Sequence, residues 1–132
     1  MGTFRVQLEI GDPAGQRFDR VEALVDTGAT HTWLPREILE RLGVQPEEER
    51  PFVLADGRRV AYGIAWVRVR IDGRMSPTIA VFGDPGTEAL LGAFTLEGLG
   101  LAADPVNRRL VPVPALLYSA RSGFRQRCEA AA

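Results

Sequence analysis

The sequence predicts a mainly β domain of short strands and tight turns with one or two short helices. Three observations predict it. Apolar and polar residues alternate with period two in several stretches, as on a half-buried strand. The 132 residues include 14 Gly and 9 Pro, more turn-formers than a helical bundle would carry. Asp56-Gly57 stands between two apolar runs, a hairpin signal because Gly accepts positive φ without penalty.

The elements follow in order. Phe4, Val6, Leu8 and Ile10 alternate with Arg5, Gln7 and Glu9, which predicts a first strand. Gly11 to Gly15 reads as a turn, and Val21, Ala23 and Val25 as a returning strand that ends at Asp26. Thr27 to Thr32 reads as a loop. Pro35 is well placed in a first helical turn and Gly43 where a helix turns left-handed, so a short helix is expected between them. Gln45 to Arg50 is polar and reads as surface loop. Phe52-Val53-Leu54-Ala55 and Val60-Ala61-Tyr62 form a hairpin around Asp56-Gly57. Val67 to Ile71 and Thr78 to Phe82 are strands joined through Asp72-Gly73. Glu88 to Leu91 is a short strand, Ala93 to Gly100 a short helix, and Arg109 to Val113 a last strand. The expected organisation is one domain over residues 1–117 and a C-terminal tail, 118–132, that frays.

Bulk properties exclude several classes. The formal net charge is −1, without the basic stripe of a nucleic-acid binder. The lone cysteine, Cys128, cannot form an intrachain disulfide, which fits a reducing compartment. No apolar run approaches the roughly 18 residues of a membrane span. Met1 to Arg5 leads straight into the strand pattern, unlike a signal peptide. The expectation is a cytoplasmic protein with neither nucleic acid nor membrane as partner. His31, the single histidine, cannot build a metal site with one distant cysteine. Trp33 and Trp66 read as core anchors.

The chain echoes itself. Glu22-Ala23-Leu24-Val25 resembles Glu88-Ala89-Leu90-Leu91; the first leads to Asp26-Thr27-Gly28, the second to Gly92. The helices that follow close alike, Leu39 to Val44 against Leu96 to Leu101. A strand, a glycine turn and a short helix therefore occur twice, as in a duplication.

The chemistry-bearing string is Ala23 to Thr30. It sets a carboxylate at the end of an apolar strand, where burial would disfavour the charged form. Thr27 offers a hydroxyl to brace the turn, Gly28 permits close approach of a ligand, and Ala29 keeps the floor shallow. Asp before Thr-Gly is also good turn chemistry in its own right.

Leu24-Val25-Asp26-Thr27-Gly28-Ala29 resembles the signature of retropepsin-like (clan AA) aspartic proteases of the single-domain, bacterial type. The hairpin at Ala55-Asp56-Gly57-Arg58 falls where those enzymes carry a flap, and Leu90-Leu91-Gly92 where they have a second strand-glycine turn. The resemblance covers about residues 4 to 113. It implies a closed acid-protease β-barrel and endopeptidase activity on extended peptides, with neither metal nor cofactor. It implies Asp26 as the catalytic residue, supported by Thr27 and Gly28. Substrate would lie against Gly28, Ala29, Thr30, His31, Ala55, Asp56, Gly57 and Leu90. The chain has one Asp-Thr-Gly string, and Gly92 stands where a second Asp would be. The carboxylate pair then requires a homodimer. Many retroviral enzymes carry two acidic residues where this chain has Thr30 and His31. Two other readings stay open: a dimeric peptide-binding module that does not cut, and an unrelated small β protein in which Asp-Thr-Gly is only a turn.

Overall fold

The computed structural model describes residues 3–114. The tail expected at 118–132, and the last residues of the expected domain, lie outside them. The chain runs β1 (Arg5–Gly11), β2 (Phe18–Val25), β3 (Thr32–Pro35), α1 (Arg36–Arg41), β4 (Glu48–Val53), β5 (Arg59–Ile71), β6 (Arg74–Gly83), β7 (Ala89–Leu91), α2 (Ala93–Leu99), β8 (Leu101–Asp104) and β9 (Arg109–Pro112). Seven strands form one sheet in the order β1-β2-β7-β3-β6-β5-β4. β1 also pairs with the far part of β5 through Ile10↔Val69, so the sheet closes on itself as a barrel. β4 stays outside the closed ring as a hairpin arm on β5. A separate two-stranded sheet joins β8 to β9. The predicted mainly β barrel with two short helices is the fold observed.

Alternation places Leu8 and Ile10 of β1 and Val67, Val69 and Ile71 of β5 in the barrel interior. Leu34, Leu39 and Leu91 are fully buried with them, so α1 and the short central strands share one core. A fully buried aliphatic side chain of this kind contributes about 1.5–3 kcal/mol.

Trp66, read as a core anchor, is exposed, and four further expectations change. Gln45 to Arg50 is not all loop: Glu48 to Arg50 open β4, paired with Ile64, Gly63 and Tyr62. These charged residues suit an exposed edge strand, which is why they read as loop. The loop after Asp26 is shorter than expected, because Thr32 already begins β3. β5 is one strand of 13 residues, and Gly63 within it lies against Pro46, where a Cβ would sit 2.8 Å from the Pro46 Cβ. Leu101–Asp104 is a strand that its short, mixed sequence did not signal.

The internal echo is a physical pairing. β2 and β7 lie side by side and parallel, with Ala23↔Ala89, Leu24↔Leu90 and Val25↔Leu91 in register. The turn after each strand then meets the other. The Asp26 amide donates to the Leu91 carbonyl at 3.0 Å. Gly92 packs on the loop after Asp26 so closely that a Cβ there would lie 2.4 Å from the His31 carbonyl oxygen. Behind the junction, three buried hydroxyls form a chain. Thr32 Oγ1 accepts from the Gly92 amide (3.1 Å) and lies 2.6 Å from Thr95 Oγ1, which lies 2.8 Å from Thr78 Oγ1. The chain ties β3, β6 and α2 together.

Two stability measurements follow from this junction. Thr95→Val keeps the shape, strands the Thr78 hydroxyl and leaves Thr32 with the Gly92 amide alone; urea unfolding should show a loss of about 1–3 kcal/mol, more than Thr→Val at an exposed site. Gly92→Ala should lose about 1–3 kcal/mol, because the loop backbone has to move away from the new methyl. A Gly92→Ala protein as stable as the parent would show that the loop is not held by this contact.

Candidate active site

Asp26 stands one residue past the end of β2, and its turn is locked by its own chain. Asp26 Oδ1 accepts the Gly28 amide at 3.0 Å, and the Asp26 carbonyl accepts the Ala29 amide at 3.1 Å. From the other side, the first amides of α2 reach the same loop. Ala93 donates to the Ala29 carbonyl (2.8 Å) and Phe94 to the Thr30 carbonyl (2.9 Å). These amides have no partner within the helix, so the loop caps α2 while α2 holds the loop.

The turn is well held and also open. Asp26 is half-buried, and Thr27 and Gly28 are exposed. The expectation that the strand end would bury this carboxylate is met only in part. Thr27 does not brace the turn: among the described residues its hydroxyl has no partner, and backbone groups do that work. Asp26 and Thr27 form one wall of a cavity of about 650 Å³. Phe4, Leu96, Leu101, Ala103 and Pro105 line the rest, and Asp26 is the only charged residue among the lining groups.

The remaining predicted residues lie on two surfaces. Ala29, Thr30 and His31 continue the loop from Asp26. Leu90, half-buried on β7, sits between Leu24 of β2 and Trp33 of β3. Ala55, Asp56 and Gly57 form the exposed tip of the β4–β5 hairpin, and none of them bonds the Asp26 turn. The tip is tied to itself: Gly57 donates to the Leu54 carbonyl (2.8 Å), and Asp56 Oδ1 accepts the Arg58 amide (3.0 Å). The Arg58 amide, then its guanidinium at 2.7 Å, holds the Asp56 carboxyl below the usual carboxylate range.

Loop and hairpin meet through aromatic rings instead. Trp33 packs edge-on against Phe52 (5.1 Å) and Tyr62 (5.0 Å), and His31 against Phe52 (6.1 Å). Tyr62 donates to Asp84 Oδ2 at 3.2 Å. Burial, then the Asp84 charge, pushes the Tyr62 hydroxyl up. Burial, then the charge of Arg50, pushes His31 down from its ordinary value. Phe52, Tyr62 and the α2 amides were not among the predicted site residues. Alternation across the hairpin was the one signal that could have placed Phe52 on the face toward the loop.

Among the described residues no group of three His, Cys, Asp or Glu side chains could hold a metal ion, and no helix is long and apolar enough to cross a membrane.

Three solved structures resemble the chain. A retropepsin-like aspartic protease from Rickettsia conorii superposes with a TM-score of 0.53 at 21% identity, over 77% of this chain and 87% of that one. The simian foamy virus protease gives 0.49 at 20% identity, over 70% and 92%. The foamy viral protease-reverse transcriptase gives 0.51 at 13% identity, over 85% of this chain and 13% of that chain. No curated protein matches. The family described as aspartyl protease matches residues 6–94, a span that contains the Asp26 turn, the hairpin and the β2–β7 junction. The chain therefore belongs to the aspartyl protease family, as a member with the retropepsin-like fold.

Proposed function

We propose that the protein is a homodimeric aspartic endopeptidase in which Asp26 of each subunit supplies one carboxylate of the catalytic pair. One observation carries the reading. Asp26 is held rigidly, faces a largely apolar cavity, and has no second carboxylate among the groups that line it. A lone half-buried aspartate lacks the partner that acid–base chemistry on a peptide bond requires. A second copy related by a twofold axis beside Asp26 supplies it, and the uncharged lining suits the centre of such an interface.

Two carboxylates about 3 Å apart share a proton, aspartic proteases being the type case of the effect. The ionised partner takes a proton from a water lying between them. The resulting hydroxide attacks the scissile carbonyl carbon. The protonated partner donates to the carbonyl oxygen and stabilises the oxyanion. Collapse of the tetrahedral species breaks the C–N bond, and the leaving nitrogen takes the proton. Thr27, exposed and unpaired within its own chain among the described residues, would hydrogen-bond its twin across the axis. Gly28, Ala29 and Thr30 form the floor for the substrate backbone. The hairpin tip at Ala55, Asp56 and Gly57 acts as the flap that covers it. The expected location is the cytoplasm.

The test is a peptide-library digest with the parent protein and Asp26→Asn side by side. Asn keeps the oxygen that accepts the Gly28 amide, so the circular-dichroism spectrum should not change. Cleavage should fall by about 10²–10⁴-fold or more, the share of a general base. Specific activity should also fall on dilution, as subunits separate. Equal cleavage by both proteins would remove Asp26 from the mechanism; peptide binding by both without cleavage would make the protein a binding module.

A further inference from the structure

The geometry points to a subsite for an acidic substrate side chain, formed by Arg50 of β4 and His31 of the Asp26 loop beside the Trp33–Phe52 aromatic wall. The inference rests on the peptidase reading and adds the class of substrate.

The placement comes from strand alternation. Arg50 lies across from Tyr62 and Phe52 across from Val60, so Arg50 and Phe52 share one face of the hairpin. That face looks toward the loop, because Phe52 meets His31, Trp33 and Tyr62 there. Leu54 continues the same row and packs in the same apolar cluster. The hairpin face toward the loop thus has an apolar wall, Phe52 and Leu54, with the basic Arg50 at its edge. A peptide leaving Asp26 along Ala29 and Thr30 reaches that edge at His31.

Arg50 lines a shallow cavity with Glu47 and Glu48, and Glu47 Oε2 already accepts the Trp66 amide at 3.0 Å. Among the described residues, His31 has no hydrogen-bond partner. Arg50 has only Glu48, through one contact of 3.2 Å, with the two side chains 41% and 57% exposed. An exposed pair two residues apart on one strand is weak. A substrate carboxylate can take the guanidinium in two-pronged geometry. The adjacent rings exclude water on one side and strengthen the contact.

The groups that bear on His31 are the Phe52 ring, which it meets edge-on, and the charge of Arg50, both from β4. Arg50 is held near Glu48, and no carboxylate bonds the imidazole among the described residues. His31 is therefore neutral at pH 7.5, where Arg50 acts alone. It becomes cationic only below its depressed range, while a substrate Glu stays ionised down to about pH 4.3. Acid preference should rise on acidification within that window. Twofold symmetry places one such edge on each side of the cut, so two positions equidistant from the scissile bond should show it.

The experiment digests a peptide library with Glu, Gln and Lys equally represented at each position, at pH 7.5 and pH 5.5. The parent protein should cut Glu peptides about tenfold better than Gln peptides at two symmetric positions, mainly through KM, the scale of one charged hydrogen bond. Arg50→Gln should bring the ratio near one at pH 7.5 and leave a smaller preference at pH 5.5 that His31→Gln removes. Arg50→Glu should reverse the preference toward Lys, which a folding defect cannot do. Cleavage without Glu preference overturns the subsite and leaves the peptidase reading intact. If nothing is cut, the same proteins are tested on an immobilised array of the peptides. Glu-over-Gln retention lost in Arg50→Gln supports the subsite and sinks proteolysis; equal retention overturns both.

Discussion

The structure depends on the parallel pairing of β2 with β7. Parallel neighbours need a long crossover, and here the crossover is most of the barrel, residues 26 to 88. Once Ala23, Leu24 and Val25 lie beside Ala89, Leu90 and Leu91, both strands end at the same level. The turn at Asp26 and the glycine at 92 must then share one place. Only a residue without a Cβ fits there, at 2.4 Å from the His31 carbonyl oxygen. The same coincidence of ends brings the first amides of α2 onto the carbonyls of Ala29 and Thr30. The floor of the site is thus largely a by-product of strand register, to which the Asp26 side chain adds its bond from the Gly28 amide.

That arrangement separates two demands that compete in many active sites. The floor is rigid because backbone groups and three buried hydroxyls hold it from behind. The groups that face outward, Asp26, Thr27 and Gly28, remain half-buried or exposed. Stability of the single chain therefore does not consume the bonding capacity of the proposed catalytic face. Asp26 gives up one carboxylate oxygen to the Gly28 amide and keeps the other. Thr27 keeps its hydroxyl.

Much of this was legible in the residues. Alternation marked the barrel strands, because a half-buried strand has to repeat every two residues. The echo between Glu22 to Val25 and Glu88 to Leu91 predicted a duplication, and the structure sets those strands side by side in register. The Asp26 turn, with its small residues, stood out. What escaped notice has physical reasons. Glu48-Glu49-Arg50 are charged because an edge strand faces solvent, so the pattern imitated a loop. β8 is too short to show a period. Thr32, Thr78 and Thr95 meet only through tertiary contact, and each alone looks like an ordinary polar residue. Asp56 and Gly57 marked the hairpin tip correctly as a turn, and the actual contact with the loop lies lower, at Phe52.

The position of that contact divides the hairpin into a root and a tip. The tip is closed on itself by bonds among Leu54, Asp56, Gly57 and Arg58, so it behaves as one unit. The root is anchored by Trp33 and Tyr62 against Phe52, with Tyr62 fixed in turn to Asp84. Edge-on aromatic pairs contribute about 0.5–1.5 kcal/mol each beyond their buried area, enough to favour one root position without locking it. Val53 and Arg59, which pair across the ladder between root and tip, carry exposed side chains. Among the described residues the hairpin's contact with the Asp26 loop thus belongs to the root, and the tip is held by bonds within the hairpin itself.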